Sequence, residues 1–187
     1  MSFVGDGAGP RSLLVGSFLV ALTMNGCSQP PDPIAQPNSS GSVCQPALSG
    51  PVTQGDFDLQ NTGSAPAVIT EVGLRNAHGI RIVGIKIFVF TDDGTGGTLV
   101  GTQDHYPPPT GPTAGTSHVL PWSAGLAVPG ATIPADPHAV ANVVLGLERD
   151  TASDGKADGI DVYYQSAGHD YAYHGRFSIT LAASRCF

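Results

Sequence analysis

The chain is 187 residues long, a length for one domain, and carries a formal net charge of −7 with only 12% charged residues. Its eight Lys and Arg are scattered rather than clustered, and an acidic surface of that kind repels phosphate backbones, which excludes nucleic acid as a partner. With Gly 25 and Pro 16 against so few charges, the composition suits short strands joined by many turns and excludes a helix-rich architecture.

In chain order the first element is an apolar run, Ser12–Met24, preceded by Arg11. It is shorter than the roughly 20 residues a bilayer span needs and has the length of a signal-peptide core. Met24-Asn25-Gly26-Cys27 follows directly and resembles a bacterial lipobox. That resemblance implies cleavage before Cys27 and a diacylglyceryl group on its thiol. Met24 stands where a lipobox usually has Leu, and Asp6 offsets Arg11. The competing reading, a buried N-terminal helix, fails because residues 28–42 hold four Pro and no apolar periodicity. The expected organisation is a signal peptide over 1–26, a lipid-anchored Pro/Ser-rich tether over 27–43 and a β-sandwich domain over 44–187. The protein is then exported and held at the outer face of the cell membrane by a lipid on Cys27. An extended Pro-rich tether of this length sets the domain roughly 40 Å from its anchor.

The cysteines fit this organisation. There are three, Cys27, Cys44 and Cys186, and an odd count in an exported protein needs an explanation. With Cys27 lipidated, Cys44 and Cys186 remain as one possible disulfide that flanks the whole domain. A bridge across so long a loop contributes roughly 4–5 kcal/mol on the chain-entropy account. Two unpaired thiols are the weaker reading in an oxidising compartment.

Strand signals begin at residue 54. Gln54–Gln60 alternates, with Phe57 and Leu59 on one face and Asp56, Asp58 and Gln60 on the other. Asn61-Thr62-Gly63-Ser64 is a turn. Ala67–Leu74 alternates with Val68, Thr70, Val72 and Leu74 expected inward. Ile80–Phe90 changes phase at Gly84, which predicts a β-bulge there, with Ile85, Ile87 and Val89 inward and Lys86, Phe88 and Phe90 outward. A loop at 92–97 leads to a short strand, Thr98–Gly101. Residues 103–137 are punctuated by Pro and read as one long irregular loop, strand-like only over Ser117–Trp122. His138–Glu148 places Val143, Leu145 and Leu147 on one face. Ile160–Gln165 and Tyr171–Leu181 follow, joined by a hairpin link over 166–170, with Tyr171, Tyr173, Phe177, Ile179 and Leu181 inward. The expected fold is all-β: an immunoglobulin-like antiparallel β-sandwich of seven to eight strands with one long Pro/Gly-rich loop.

Two stretches carry a family resemblance. Phe57–Val72 resembles the opening strands of bacterial immunoglobulin-like domains. Val144–Glu148, then Ala157–Tyr164, then a strand ending near a Cys, resemble small actinobacterial exported lipoproteins. The resemblance implies a fold and a location and no activity.

Candidate chemistry is sparse. Asp150, Asp154, Asp158 and Asp161 occupy positions 1, 5, 9 and 12 of an EF-hand-type numbering, with Gly155 at 6. Hard Ca²⁺ takes several carboxylate oxygens around one turn, so these four are the candidate metal ligands. Ala152 at position 3 cannot ligate, Asp161 is shorter than the usual Glu, and the flanks read as strands. The competing reading is a polar hairpin loop built on Asp and Gly turn geometry. The six histidines, His78, His105, His118, His138, His169 and His174, show no ligand spacing and read as solvated surface residues. No Gly-x-Ser-x-Gly elbow is present. Tyr106, His118 and Trp122 in the long loop make a candidate ligand or interaction surface, although Trp122 serves equally well as a cap on the core.

The expected function is a non-enzymatic cell-envelope lipoprotein with an immunoglobulin-like domain acting as an interaction or structural module, without a resident cofactor. The alternatives are a Ca²⁺-dependent or small-ligand binding module and a hydrolase with a dispersed site. Its expected partners are the membrane, through the lipid, and a protein or small ligand.

Overall fold

The structure is a computed structural model and describes residues 31–36, 40–47, 50–91, 97–98, 100–109, 113–114 and 118–186; at 91, 97–98, 113–114 and 118–119 it describes the backbone alone. Its strands are β1 (Ile34–Ala35), β2 (Ser40–Pro46), β3 (Val52–Asn61), β4 (Ala67–Arg75), β5 (Ile80–Thr91), β6 (Gly97–Thr98), β7 (Thr113–Ala114), β8 (His118–Val119), β9 (Thr132–Ile133), β10 (Ala139–Arg149), β11 (Gly155–Ala157), β12 (Gly159–Ser166), β13 (His169–His174) and β14 (Arg176–Ala182). A single 3₁₀ turn, Trp122–Ala124, lies between β8 and β9.

One sheet has the order β1-β3-β10-β5 and is antiparallel throughout. In the facing sheet β13-β12-β4-β9 form one ladder and β11-β14-β2 another. The two ladders run on from each other, because only Asp158 separates β11 from β12 and only Gly175 separates β13 from β14. Gly175 N–H donates to the Ile160 carbonyl at 2.9 Å across that junction. The architecture is an all-β, immunoglobulin-like sandwich. With each interrupted strand counted once, its long strands match the seven to eight expected. It departs from a purely antiparallel arrangement at one edge, where β2 pairs parallel with β14 from Ser40↔Arg176 to Pro46↔Ala182.

The core forms where the alternating apolar residues of both sheets meet. Phe57, Leu59, Ile69, Ile87, Val143, Leu145, Leu147, Val162 and Leu181 are all fully buried there. Each such side chain contributes about 1.5–3 kcal/mol through its removal from water. Three register shifts adjust the pattern. The bulge expected at Gly84 is present, since Gly146 pairs with Gly84 while Leu147 pairs with Ile82, leaving Val83 unpaired. A second lies on β4, where Tyr163 pairs with Glu71 and Tyr164 with Ile69. It corrects the expected phase of that strand: Ala67 and Ile69 point inward and Val68 and Thr70 outward, while Val72 stays buried. The extra residue at Thr70 flips the parity midway, which simple alternation does not anticipate. A third, between Val143 and Leu145, leaves Gly55 and Asp56 of β3 opposite Val144.

The link between β12 and β13 is tighter than expected. Ser166 pairs with His169, so the turn is Ala167-Gly168, with φ of 50° and 79°. These are the positive angles of a two-residue hairpin turn whose twist matches the flanking strands.

The described part of the segment expected to be a spacer, residues 31–36 and 40–43, belongs to the fold. β1 and the first residues of β2 fall inside 27–43, so the folded unit takes in residues from Pro31 onward. A Pro-rich chain is already extended and tolerates an edge position, where missing N–H donors cost little. Two tyrosines fasten it. The Tyr164 hydroxyl donates to Asp32 Oδ1 and accepts from Ile34 N–H at 3.2 Å, while Tyr173 donates to Gln36 Oε1 at 2.8 Å. Burial, and then the adjacent Asp32 carboxylate, push the Tyr164 hydroxyl well above its ordinary pKa and keep it a donor.

Cys44 of β2 and Cys186 are joined by a disulfide with Cα atoms 5.8 Å apart and a sequence separation of 142. The bridge ties the edge strand β2 to the chain end that follows β14. Replacing both cysteines by Ser is expected to lower the unfolding free energy by about 2–5 kcal/mol, read as a lower urea midpoint.

Candidate functional site

The sheet β1-β3-β10-β5 is covered on both faces. Described residues of 100–109 and 120–126 lie over its outer face. Thr53 and Gln103 exchange two backbone hydrogen bonds (2.8 and 3.0 Å), as do Ile87 and Leu126 (2.8 and 3.0 Å). Phe88, which alternation places outward, is 1% exposed and packs with Val100, Val144 and Trp122 in a second apolar cluster. The Phe88 and Trp122 rings are 5.4 Å apart, and Tyr106 meets Trp122 edge-on at 5.5 Å.

Tyr106 owes its place to two glycines. Gly84 and Gly146 are cross-strand partners, and a Cβ on either would lie within 2.1 and 2.5 Å respectively of Tyr106 side-chain atoms. The pair therefore forms a slot for the Tyr106 side chain. Tyr106 and Trp122, two of the three residues expected to form an interaction surface, pack against the sheet through Gly84, Gly146 and Phe88. The third, His118, has its backbone in β8, and its side chain lies outside the described residues.

Beside this covered face lies a groove of about 410 Å³ between β2 and β3. Ser40, Ser42 and Val43 of β2 form one side, Asp56 and Asp58 of β3 the other, and Phe177 of β14 an apolar wall. The Phe177 ring meets the core ring of Phe57 edge-on at 5.6 Å. It also packs over Gly41, where a Cβ would be 2.5 Å from it. Gly55 forms part of the lining and sits in the bulge, where a Cβ would be 2.0 Å from the Val100 carbonyl oxygen. Asp58 accepts a hydrogen bond from the buried Asn142 amide at 3.0 Å, and Asn142 Oδ1 in turn accepts from Val100 N–H at 3.2 Å. Burial raises the Asp58 carboxyl above its ordinary 3.8; the Asn142 hydrogen bond lowers it, and the nearby Asp56 charge raises it again. With two carboxylates and two hydroxyls, the lining disfavours anions and offers acceptors to amine or hydroxyl donors.

Sequence alternation placed Asp56 and Asp58 on a solvent face and so missed the groove. The available signal was Gly55 inside a strand, a position that marks a bulge or a close backbone approach.

The four expected Ca²⁺ ligands are not brought together. Strand β11 separates Asp150 and Asp154 from Asp158 and Asp161. Asp154 accepts from Ala183 N–H at 2.8 Å, Asp158 from Asn76 Nδ2 at 2.9 Å, and Asp161 lies 2.7 Å from His174 Nδ1 and 3.7 Å from Arg75. The centre of the 150–154 turn belongs to Arg149. Its Nη1 faces the carbonyls of Thr151, Ala152 and Ser153 at 3.3, 3.1 and 3.1 Å, and its Nε and Nη2 reach the Ala47 carbonyl at 3.2 and 3.0 Å. A guanidinium, planar and permanently charged, occupies the oxygen-lined centre of the turn and opposes a second cation there. Among the described residues no group of three or more His, Cys, Asp or Glu is placed to hold a metal ion.

The histidines with described side chains, His78, His105, His138, His169 and His174, are all exposed, as their spacing suggested. His174 and Asp161 form an acid–imidazole pair on the outer face of β12 and β13. Among the described residues, their same-face neighbours along the strands, Tyr163, Ala172 and Arg176, include no serine. Cys27 lies outside the described residues.

Compared with known proteins, the chain matches no family model, no curated sequence and no solved structure.

Two outcomes are expected. Adding Ca²⁺ leaves the melting temperature of the protein unchanged, whereas Arg149→Ala lowers it by removing the donors that organise the turn, both read by thermal denaturation. The second concerns pH. A carboxyl whose folded pKa lies above its unfolded value favours the native state only while protonated, so its contribution falls as pH rises through the range just above 3.8. Asp58→Asn is expected to flatten the stability profile over that range in urea titrations at stepped pH.

Proposed function

We propose that this chain is a non-enzymatic cell-envelope lipoprotein, in which the immunoglobulin-like sandwich is an interaction or structural module displayed on the outer face of the membrane by a lipid on Cys27. The supporting observation is the fastening of the segment that leads from Cys27 into the domain. Within a few residues it meets the Tyr164 and Tyr173 hydroxyls, then the parallel β2–β14 ladder, then the Cys44–Cys186 bridge. A domain held through its N-terminus receives any load at that point, and a covalent bridge to the far end of the chain keeps the edge strand from peeling. A disulfide also suits an oxidising compartment.

A small-ligand role is the second reading, favoured by the groove beside Asp56 and Asp58. A hydrolytic role has less support, since among the described residues no serine stands beside the acid–imidazole pair of Asp161 and His174 on its strand face.

Mass spectrometry of the protein taken from its native envelope tests the anchor. The mature chain is expected to begin at Cys27 and to carry a diacylglyceryl group, and Cys27→Ser is expected to release the protein into the medium. A mature N-terminus elsewhere, or membrane retention of the Cys27→Ser chain, overturns the proposal.

A further inference from the structure

Along the edge of β3 a hydroxyl, a carboxamide and a carboxylate come into mutual contact. Thr53 and Gln103 form a two-hydrogen-bond antiparallel bridge, so the next residues along, Gln54 and Thr102, stand directly opposite each other. Thr102 Oγ1 lies 3.1 Å from Gln54 Oε1 and 3.1 Å from Asp56 Oδ2. Gln54 Nε2 donates to the same Asp56 oxygen. The Gln54 carboxamide is fully buried, while Thr102 and Asp56 are open to solvent.

We propose that Thr102 and Gln54 are the partners of an intramolecular ester cross-link whose formation Asp56 promotes. Thr102 Oγ1 attacks the carboxamide carbon of Gln54, which lies one C=O bond, about 1.2 Å, beyond Oε1 and hence within roughly 4.3 Å of the hydroxyl oxygen. Asp56 accepts the hydroxyl proton as the C–O bond forms. The C–N bond then breaks, and Asp56 returns that proton to the departing nitrogen, which leaves as ammonia. The net change is alcohol plus carboxamide to ester plus ammonia, with no oxidant, reductant or other co-reactant. One carboxylate oxygen faces both the nucleophile and the leaving group, so base and acid duties fall on the same atom. The bridge on one side and the close approach of Gly55 to the Val100 carbonyl on the other hold the three groups side by side. Burial of the carboxamide shields the product carbonyl from hydrolysis, and the exposed side lets ammonia escape.

The product would lock the segment that covers the sheet to β3 by a bond outside the disulfide. It does not depend on the envelope anchor and stands or falls separately.

The test is the intact mass of the folded full chain after denaturation and disulfide reduction. The expected result is a deficit of one ammonia against the mass of the same processed chain. Fragmentation is expected to find the Gln54 and Thr102 peptides joined, and alkaline hydroxylamine to separate them. Thr102→Val and Asp56→Asn are expected to show no deficit, whereas Thr102→Ser retains it. The full, undiminished mass in a parent chain that unfolds cooperatively overturns the proposal. So does an ammonia deficit that persists in Thr102→Val, which assigns the loss to another amide.

Discussion

β10 is buried on both faces, and most of what distinguishes this sandwich depends on that. Val143, Leu145 and Leu147 face the main core, while Asn142 and Val144 face the segment that crosses the outer side of the sheet. A strand with no solvated face must satisfy its outward polar groups within the protein, since an unpartnered buried amide costs roughly 1–3 kcal/mol. Asn142 does so by bonding to Gly55, Asp58 and Val100. Those bonds draw the crossing segment onto β3 and bring Val100 against the bulge at Gly55. Thr102 then falls opposite Gln54, and the groove beside Asp56 and Asp58 is left open. The glycine pair at 84 and 146 follows from the same constraint, because any side chain there would collide with Tyr106.

The two ends of the described domain obey a second constraint. The N-terminal segment serves both sheets, as β1 against β3 and as β2 against β14. Two residues of ladder hold β1, which is too little for independent stability. The tyrosine hydroxyls over Asp32, Ile34 and Gln36 supply polar anchoring at β1, and the disulfide supplies covalent anchoring at β2. Fastening is thus concentrated on the first described strands, β1 and β2.

Polar chemistry in this protein is used mostly for holding. Arg149 organises a turn through backbone carbonyls, Asn142 joins two layers, and Tyr164 pins an edge strand. Residue types that suggest metal or catalytic chemistry in the sequence thus perform structural work in the fold.

Much of the fold was legible in the sequence because each strand buries one face against the core, and burial of one face writes itself as alternation. Phe57 and Leu59, Val143, Leu145 and Leu147, and the run from Tyr171 to Leu181 follow that rule, and the break at Gly84 announced its bulge. The spacing of Cys44 and Cys186 at the two ends of the domain likewise pointed to their bridge. The bulge at Thr70 left no such mark, since neither Thr nor its neighbours require special backbone angles, and half of β4 therefore read in the wrong phase. The EF-hand spacing of Asp150, Asp154, Asp158 and Asp161 counted residues along the chain, and β11 then placed them on separate neighbours. The sequence by itself determined the strand class, the inward residues and the clasping cysteines, because these depend on local periodicity and position. Only the tertiary structure decided that one sheet is covered twice, that Arg149 holds the centre of the acidic turn and that Thr102, Gln54 and Asp56 meet, because those contacts join residues far apart in sequence whose pairing no local pattern encodes.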